Sequence, residues 1–412
     1  MYFPIIITIS EAVFAFYLLY RTGSLSKFSH MLLSVILICL SFLVRYYLLP
    51  HETADYQDFL SRWVAWFSDN GGFKALKDPV GNYNIPYLYF LAAFSYLPVN
   101  DLFLIKSLSI FFDIILAWSV CMIVSLINRN CWVRIFAFSA VLLWPTVILN
   151  GAYWGQCDSI YTSLGILGIY CALSDKPVRS MVCIALSFSF KLQAVFIMPV
   201  YVVLFISKRI KLKHIAVFPV TYIASVLPAV ILGRPFIDAI GLYFGQIDSI
   251  GTGLNYNSPS VFSFWDHKMP PASPTLMTNI GITLAFLFTA VLILICFIHR
   301  NSLSAKTIAL TAAILTTGIP FLLPRMHDRY FFSADITTLC LAFILPQSAP
   351  CAALTLFASF LAYYAYLNMH YLLLMKWGAC SLIISLVFLL TLFMVILRQG
   401  EKQSHELCEN NS

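Results

Sequence analysis

Apolar residues run through this chain in long blocks, at about 3–20, 31–49, 84–98, 102–127, 135–150, 158–173, 179–206, 214–232, 277–298, 306–323, 331–346, 350–367 and 371–397. A helix needs about 20 apolar residues to cross a bilayer, so most of these blocks predict spans. The block 84–98 is short for one. The block 179–206 is long and interrupted by Lys191, which predicts two short helices with Lys191 at the turn between them. The expected fold is an all-α polytopic membrane protein of about 12–14 transmembrane helices, with 1–412 forming a single integral-membrane domain.

The polar segments between blocks set the orientation. Basic residues gather at Arg21/Lys27, Arg129/Arg134, Lys176/Arg179, the cluster Lys208 to Lys213, Arg300/Lys306 and the tail 398–412, which together hold 14 of the 25 Lys and Arg. Short loops rich in Lys and Arg face the cytoplasm. The segments 51–82, 150–158, 191–192, 233–276, 324–330 and 368–370 are then expected outside, with most of the carboxylates. The first outer loop, 51–82, sets Glu52, Asp55 and Asp58 beside Trp63, Trp66 and Phe67. That pattern predicts interfacial helices, acids to water and rings to lipid. The second, 233–276, is rich in Gly, Pro, Asn and Ser and reads as a loop that orders on binding.

Composition narrows the class further. The chain is 60% hydrophobic and 10% charged, against about 25% charged in a soluble domain. The net charge of +7 is scattered over short loops, which argues against nucleic acid as a partner. Most of the eleven Cys lie inside apolar blocks, and none pairs with a His at metal-ligand spacing, so they read as core residues and no metal site is expected. Met1 to Tyr20 lacks a basic leader and a small-residue cleavage site, and is expected as a retained first helix.

Four polar sets sit at the predicted outer ends of helices, where charges are costly. Asp55 and Asp58 are candidates for a general base at the lipid boundary, or an acidic face in water. Asn150 to Asp158 offers Gln156 and Asp158 for sugar hydroxyls and Trp154 for a sugar face; alternatively Asp158 caps the next helix. Lys191 suits a phosphate, or a buried pair with Asp113 or Asp158. Arg325, His327 and Arg329 fit an anion, since guanidinium forks match phosphate oxygens; the alternative is an inward basic loop. Together they suggest a carboxylate base and several cations acting on a lipid-linked phosphate, with the cations stabilising the leaving group.

In order along the chain, these residues resemble the GT-C superfamily of integral-membrane glycosyltransferases, and within it the dolichyl-phosphate-glucose-dependent glucosyltransferases and their bacterial relatives. Asp55-Tyr56, with Trp63 eight residues on from Asp55, looks like the family's catalytic Asp-Tyr in the first outer loop. Tyr83 to Tyr87 looks like its Tyr-Pro-Pro start of the next helix, although only Pro86 follows Tyr83. Trp144-Pro145 through Gln156 looks like its Tyr-Pro…His-Phe-Gln stretch, with Trp154 in place of the His. Phe190 to Gln193 followed by Pro199 looks like its Tyr-Lys-Gln…Pro stretch, and Arg325 to Tyr330 resembles its Met-His-Glu-Arg-Tyr-Phe pattern.

The resemblance implies an inverting hexosyltransferase with no tightly bound cofactor, Asp55 ranking above Asp58 as base. Lys191, Arg325, His327 and Arg329 would hold the donor phosphate, and Trp154, Gln156, Asp158 and Gln193 the sugars. The expected partners are a polyprenyl-phosphate-linked sugar donor, a glycan or lipid acceptor, and membrane lipid. The expected setting is a bacterial inner membrane with the site facing outward. Two rivals share the lipid-phosphate chemistry: a transporter or flippase of a lipid-linked sugar, which needs no base, and a polymerase of lipid-linked oligosaccharides.

Overall fold

A computed structural model describes residues 3–249, 253–265 and 273–409. Among them, eight helices are long and apolar enough to cross a membrane: Phe3–Arg21, Phe28–Leu48, Asp101–Ile127, Leu212–Ile231, Pro274–Ile298, Ala305–Leu322, Pro346–Leu367 and Met375–Gly400. A ninth span counts if Cys131–Leu143 and Pro145–Trp154, bent by 46°, are taken as one. Five shorter apolar helices complete the set: Ile85–Phe94, Asp158–Leu173, Pro177–Phe190, Leu192–Ile206 and Phe332–Ile344. The break at Lys191 stands where the interrupted block predicts it. Ile85–Phe94 has ten residues, too few to cross alone.

Helix starts follow local chemistry. The Asn100 carboxamide oxygen accepts from Leu102 N–H at 2.9 Å and opens Asp101–Ile127. Asn130 does the same for Cys131–Leu143, accepting from Trp132 N–H at 2.9 Å. Ser304 caps Ala305–Leu322 through Thr307 N–H. Such caps satisfy donors for which lipid offers no acceptor. The bend after Leu143 falls at Trp144, held extended by the proline that follows it.

The chain divides into two compact units. The first comprises Met1–Cys171, Val178–Ala194 and Lys213–Ile250. Its core gathers Tyr56, Leu60, Val64 and Phe67 from the segment 51–82 against Ile85, Tyr87, Leu88 and Leu91, with Leu102, Ile105 and Ile160. Trp63 and Trp66 pack on this core. The rings of the loop therefore face protein rather than lipid, because Ile85–Phe94 and the short helix Gly72–Lys77 cover them. Asp58 and Arg62 remain on the wet side.

A buried polar set lies within the spans of this unit. Arg45 and Asp113 are both fully buried and meet at 3.0 Å. Arg45 also donates to the Ser41 hydroxyl and the Leu142 carbonyl, each at 2.6 Å. Asp113 accepts from the Ser159 hydroxyl. Buried Glu11 lies near enough to interact with both charges of the pair. Lys106, also fully buried, donates to the carbonyls of Leu48, Leu49 and His51 at 3.1, 3.0 and 2.6 Å. It thereby caps the end of Phe28–Leu48 with a cation, the sign the helix dipole favours there.

The second unit comprises Ala172–Pro177, Val195–Leu212 and Gly251–Ser412. Ala305–Leu322 is its buried axis, held by small and hydroxyl-bearing residues such as Thr316, which bonds Thr337 at 2.7 Å. Close helix approach through small residues is the usual packing mode in lipid. Part of the segment 233–276 is ordered: Phe236–Ser249, in the first unit, is helical, and Asn255–Tyr256 forms a strand. Residues 250–252 and 266–272 of that segment lie outside the described residues.

Candidate active site

Two π-helical turns, Tyr56–Leu60 and Leu149–Trp154, lie in the first unit. Such turns are uncommon and concentrate at functional sites. Here one begins directly after Asp55 and the other ends on Trp154. Two glycines permit the second turn. Gly155 closes it with φ +80°, a backbone that a side chain would strain. A Cβ on Gly151 would stand 2.9 Å from the Asp113 carboxylate, so the turn rests directly on the buried ion pair.

Asp55 is the focus of what these turns position. Its Oδ2 accepts from Trp154 Nε1–H at 2.9 Å and from Gln156 Nε2–H at 2.7 Å. The Gln156 carbonyl oxygen accepts from the Tyr83 hydroxyl at 2.9 Å, and the Tyr83 ring packs edge-on to Trp63 at 5.5 Å. Asp55 itself is half-buried. Two donors therefore fix one carboxylate oxygen of a group that still reaches the surface. Neighbouring Tyr56 is not a competing base: burial and its hydrogen bond to Asp101 at 2.7 Å hold the phenol well above its ordinary range. Upstream, His51 stacks on Tyr153 with centroids 3.8 Å apart. Burial and the nearby Lys106 charge hold its imidazole below its ordinary range.

The other residues expected in the site fall differently. Trp154 has no exposed surface; enclosed by protein, its ring cannot offer a face to a sugar, and its indole N–H serves Asp55 instead. Gln156 is only 2% exposed and is engaged at both ends of its amide. Asp158 is fully buried, accepting from Lys191 at 2.5 Å and from Asn150 at 2.9 Å. Of the two alternatives for Lys191, the structure has the buried pair, with Tyr161 beneath the ammonium at 5.8 Å. These corrections share one cause: the polar stretch between the two helices folds inward under Asp55. Asp58 is exposed and pairs with Arg62 at 3.2 Å. Gln193 is half-buried on the short helix Leu192–Phe196.

Arg325, His327 and Arg329 belong to the second unit. There a strand at Asn255–Tyr256 (β1) pairs in parallel with one at Met326–His327 (β2). His327 stacks on Tyr256 with centroids 4.7 Å apart and lies 5.2 Å from Tyr330. Arg325 adopts φ +61° and donates its backbone N–H to the Leu254 carbonyl at 2.7 Å. A left-handed arginine is strained, and such strain gathers at functional positions. Its buried Nε has no hydrogen-bond acceptor among the described residues. Arg329 lies 3.6 Å from the Asp328 carboxylate.

Sequence reasoning missed the supporting residues Arg45, Lys106 and, as a site residue, Tyr83. The signal for the first two was a charge inside an apolar block. Removing one of the two donors to Asp55 with Gln156→Leu should slow any proton transfer through that carboxylate by about tenfold, the worth of one charge-assisted hydrogen bond. Asp55→Asn as a background should erase that difference, and a kinetic double-mutant comparison checks it.

The class that these elements define is a multi-pass, all-α integral membrane protein. No protein-family model matches the chain, and a search of curated proteins finds no match.

Proposed function

We propose that this protein is a polyprenyl-phosphate-sugar-dependent hexosyltransferase of the GT-C type, acting at the outer face of a bacterial inner membrane on a cell-envelope glycan or lipid-linked acceptor. The observation that carries the reading is Asp55: a surface-reaching carboxylate at the start of an irregular helix beside a span, its Oδ2 held by Trp154 and Gln156. A fixed carboxylate is what removal of a proton from an acceptor hydroxyl needs. In the proposed step the acceptor O–H proton passes to Asp55 while its oxygen attacks the anomeric carbon. The bond from that carbon to the phosphate oxygen breaks with inversion, and its electron pair leaves with the lipid phosphate. Arg325, His327 and Arg329 are assigned to the phosphate, by sequence resemblance and by the anion preference of paired guanidinium groups. Lys191 drops out of that role, since Asp158 already balances its charge.

The test is transfer from defined polyprenyl-phosphate hexoses by the purified protein, with donor titration and mass spectrometry of lipid that co-purifies. Transfer, with a raised donor KM in Arg325→Lys, is expected. Absence of both transfer and any bound lipid-linked sugar would overturn the reading. For orientation, a cysteine at exposed position 58 should react with an impermeant reagent in intact cells, and one at position 211 should not. The reverse pattern would place Asp55 on the inner face.

A transporter of lipid-linked sugar is the second reading. The observation in its favour is Glu11, Arg45 and Asp113, buried within the spans, where ionisable groups commonly mark transport paths. Movement of labelled lipid-linked sugar across proteoliposomes, undiminished in Asp55→Asn, would favour it.

A further inference from the structure

A cavity of about 340 Å³ opens in the second unit, lined by Asn255, Asn257, Ser263, Trp265, Tyr371 and Lys376 with apolar neighbours. Its volume lies at the small end of ligand sites. Asn255 and Asn257 line the cavity, Tyr256 between them stacks on the His327 imidazole, and Asn257 also forms a backbone bridge with His327. Arg325, His327 and Arg329 are not among the residues that line it.

Its walls are built. The Asn255 side chain closes the turn beneath, donating to the Ser258 carbonyl at 2.8 Å and accepting from the Ser258 N–H at 2.9 Å. Asn257 is held at φ +55°, and its Oδ1 accepts from the Tyr371 hydroxyl at 2.5 Å. That leaves the Asn257 amide N–H groups without an acceptor among the described residues. The Ser263 hydroxyl oxygen is buried, again without a hydrogen-bond partner among the described residues. Buried polar groups normally find partners. Trp265 and Tyr371 add ring surface that is 45% and 47% exposed.

The chemistry selects the occupant. A metal ion needs carboxylate, imidazole or thiolate ligands, which this lining lacks, while Phe264, Leu374 and Met375 give the polar groups an apolar wall beside them. Amide, hydroxyl and ammonium groups beside aromatic faces match a ring with hydroxyls at its edge and C–H bonds on its face. We infer that this cavity is a carbohydrate-binding subsite sized for a hexose, in which Asn257 and Lys376 meet hydroxyls and Trp265 meets the ring. It rests on the transferase reading only for the role it gives the bound sugar, that of acceptor.

The experiment uses the full-length protein in nanodiscs and methyl glycosides of glucose, mannose, galactose and N-acetylglucosamine, followed by saturation-transfer NMR and tryptophan fluorescence. At least one glycoside should bind saturably. Asn257→Gly keeps the left-handed backbone and removes the amide, and Trp265→Ala removes an exposed ring. Each should weaken binding by about tenfold, the effect of one good contact. No saturable binding, or equal binding in Asn257→Gly and Trp265→Ala, would overturn the subsite. Binding that maps to the cavity in a protein that transfers no sugar from polyprenyl phosphates would keep the subsite and overturn the transferase. Transfer with acceptor dependence unchanged in Asn257→Gly would do the opposite.

Discussion

Asp55→Asn should lower hexosyl transfer by about 100-fold or more, the usual loss when a general base is removed. The amide is nearly isosteric, and its single oxygen can still accept from Trp154 and Gln156, so expression and thermal stability should stay close to wild type. Donor affinity should hold while the rate falls, because the lost interaction belongs to the transition state. Steady-state rates across a donor titration decide it. Near-normal turnover in Asp55→Asn would remove the base from the mechanism, and a dead Asp58→Asn beside it would move the role to a residue that the structure leaves exposed and paired with Arg62.

The largest effect on stability should come from Asp113→Leu. It strands the Arg45 guanidinium, fully buried, without the carboxylate 3.0 Å away. Breaking a buried pair from one side typically costs about 3–5 kcal/mol, because a charge is left uncompensated. The double replacement Arg45→Leu with Asp113→Leu should recover much of the loss, since two apolar side chains demand no partner. Thermal unfolding of the purified variants in one detergent makes the comparison. If Asp113→Leu melts with the wild type, then Glu11 has taken over the pairing or the pair contributes little.

Both outcomes bear on how far the sequence could be read. Spans were legible because hydropathy over about 20 residues is a strong signal, and the break at Lys191 because a charge interrupts an apolar run. That Asp55 stands just beyond a span was legible from the apolar block that precedes it. The direction in which the polar stretch from Asn150 to Asp158 points was not. Residue type announces a hydrogen-bonding group, but whether it meets a ligand or another side chain depends on pairs such as Lys191 with Asp158 and Gln156 with Asp55, 33 and 101 positions apart. The π turns carry no periodicity of their own, and strands of two residues are too short to show one. The rings of Trp63 and Trp66 read as lipid-facing because an amphipathic helix looks the same whether lipid or a neighbouring helix covers its apolar side.

The Lys106 cap has a mechanical consequence. By holding three carbonyls at the end of Phe28–Leu48, it rivets that helix to Asp101–Ile127 where the segment 51–82 departs. A bilayer that thins or thickens acts on single helices by tilting them, but these two must tilt as a pair. The position of Asp55 is then tied to both helices through a protein joint a few residues away.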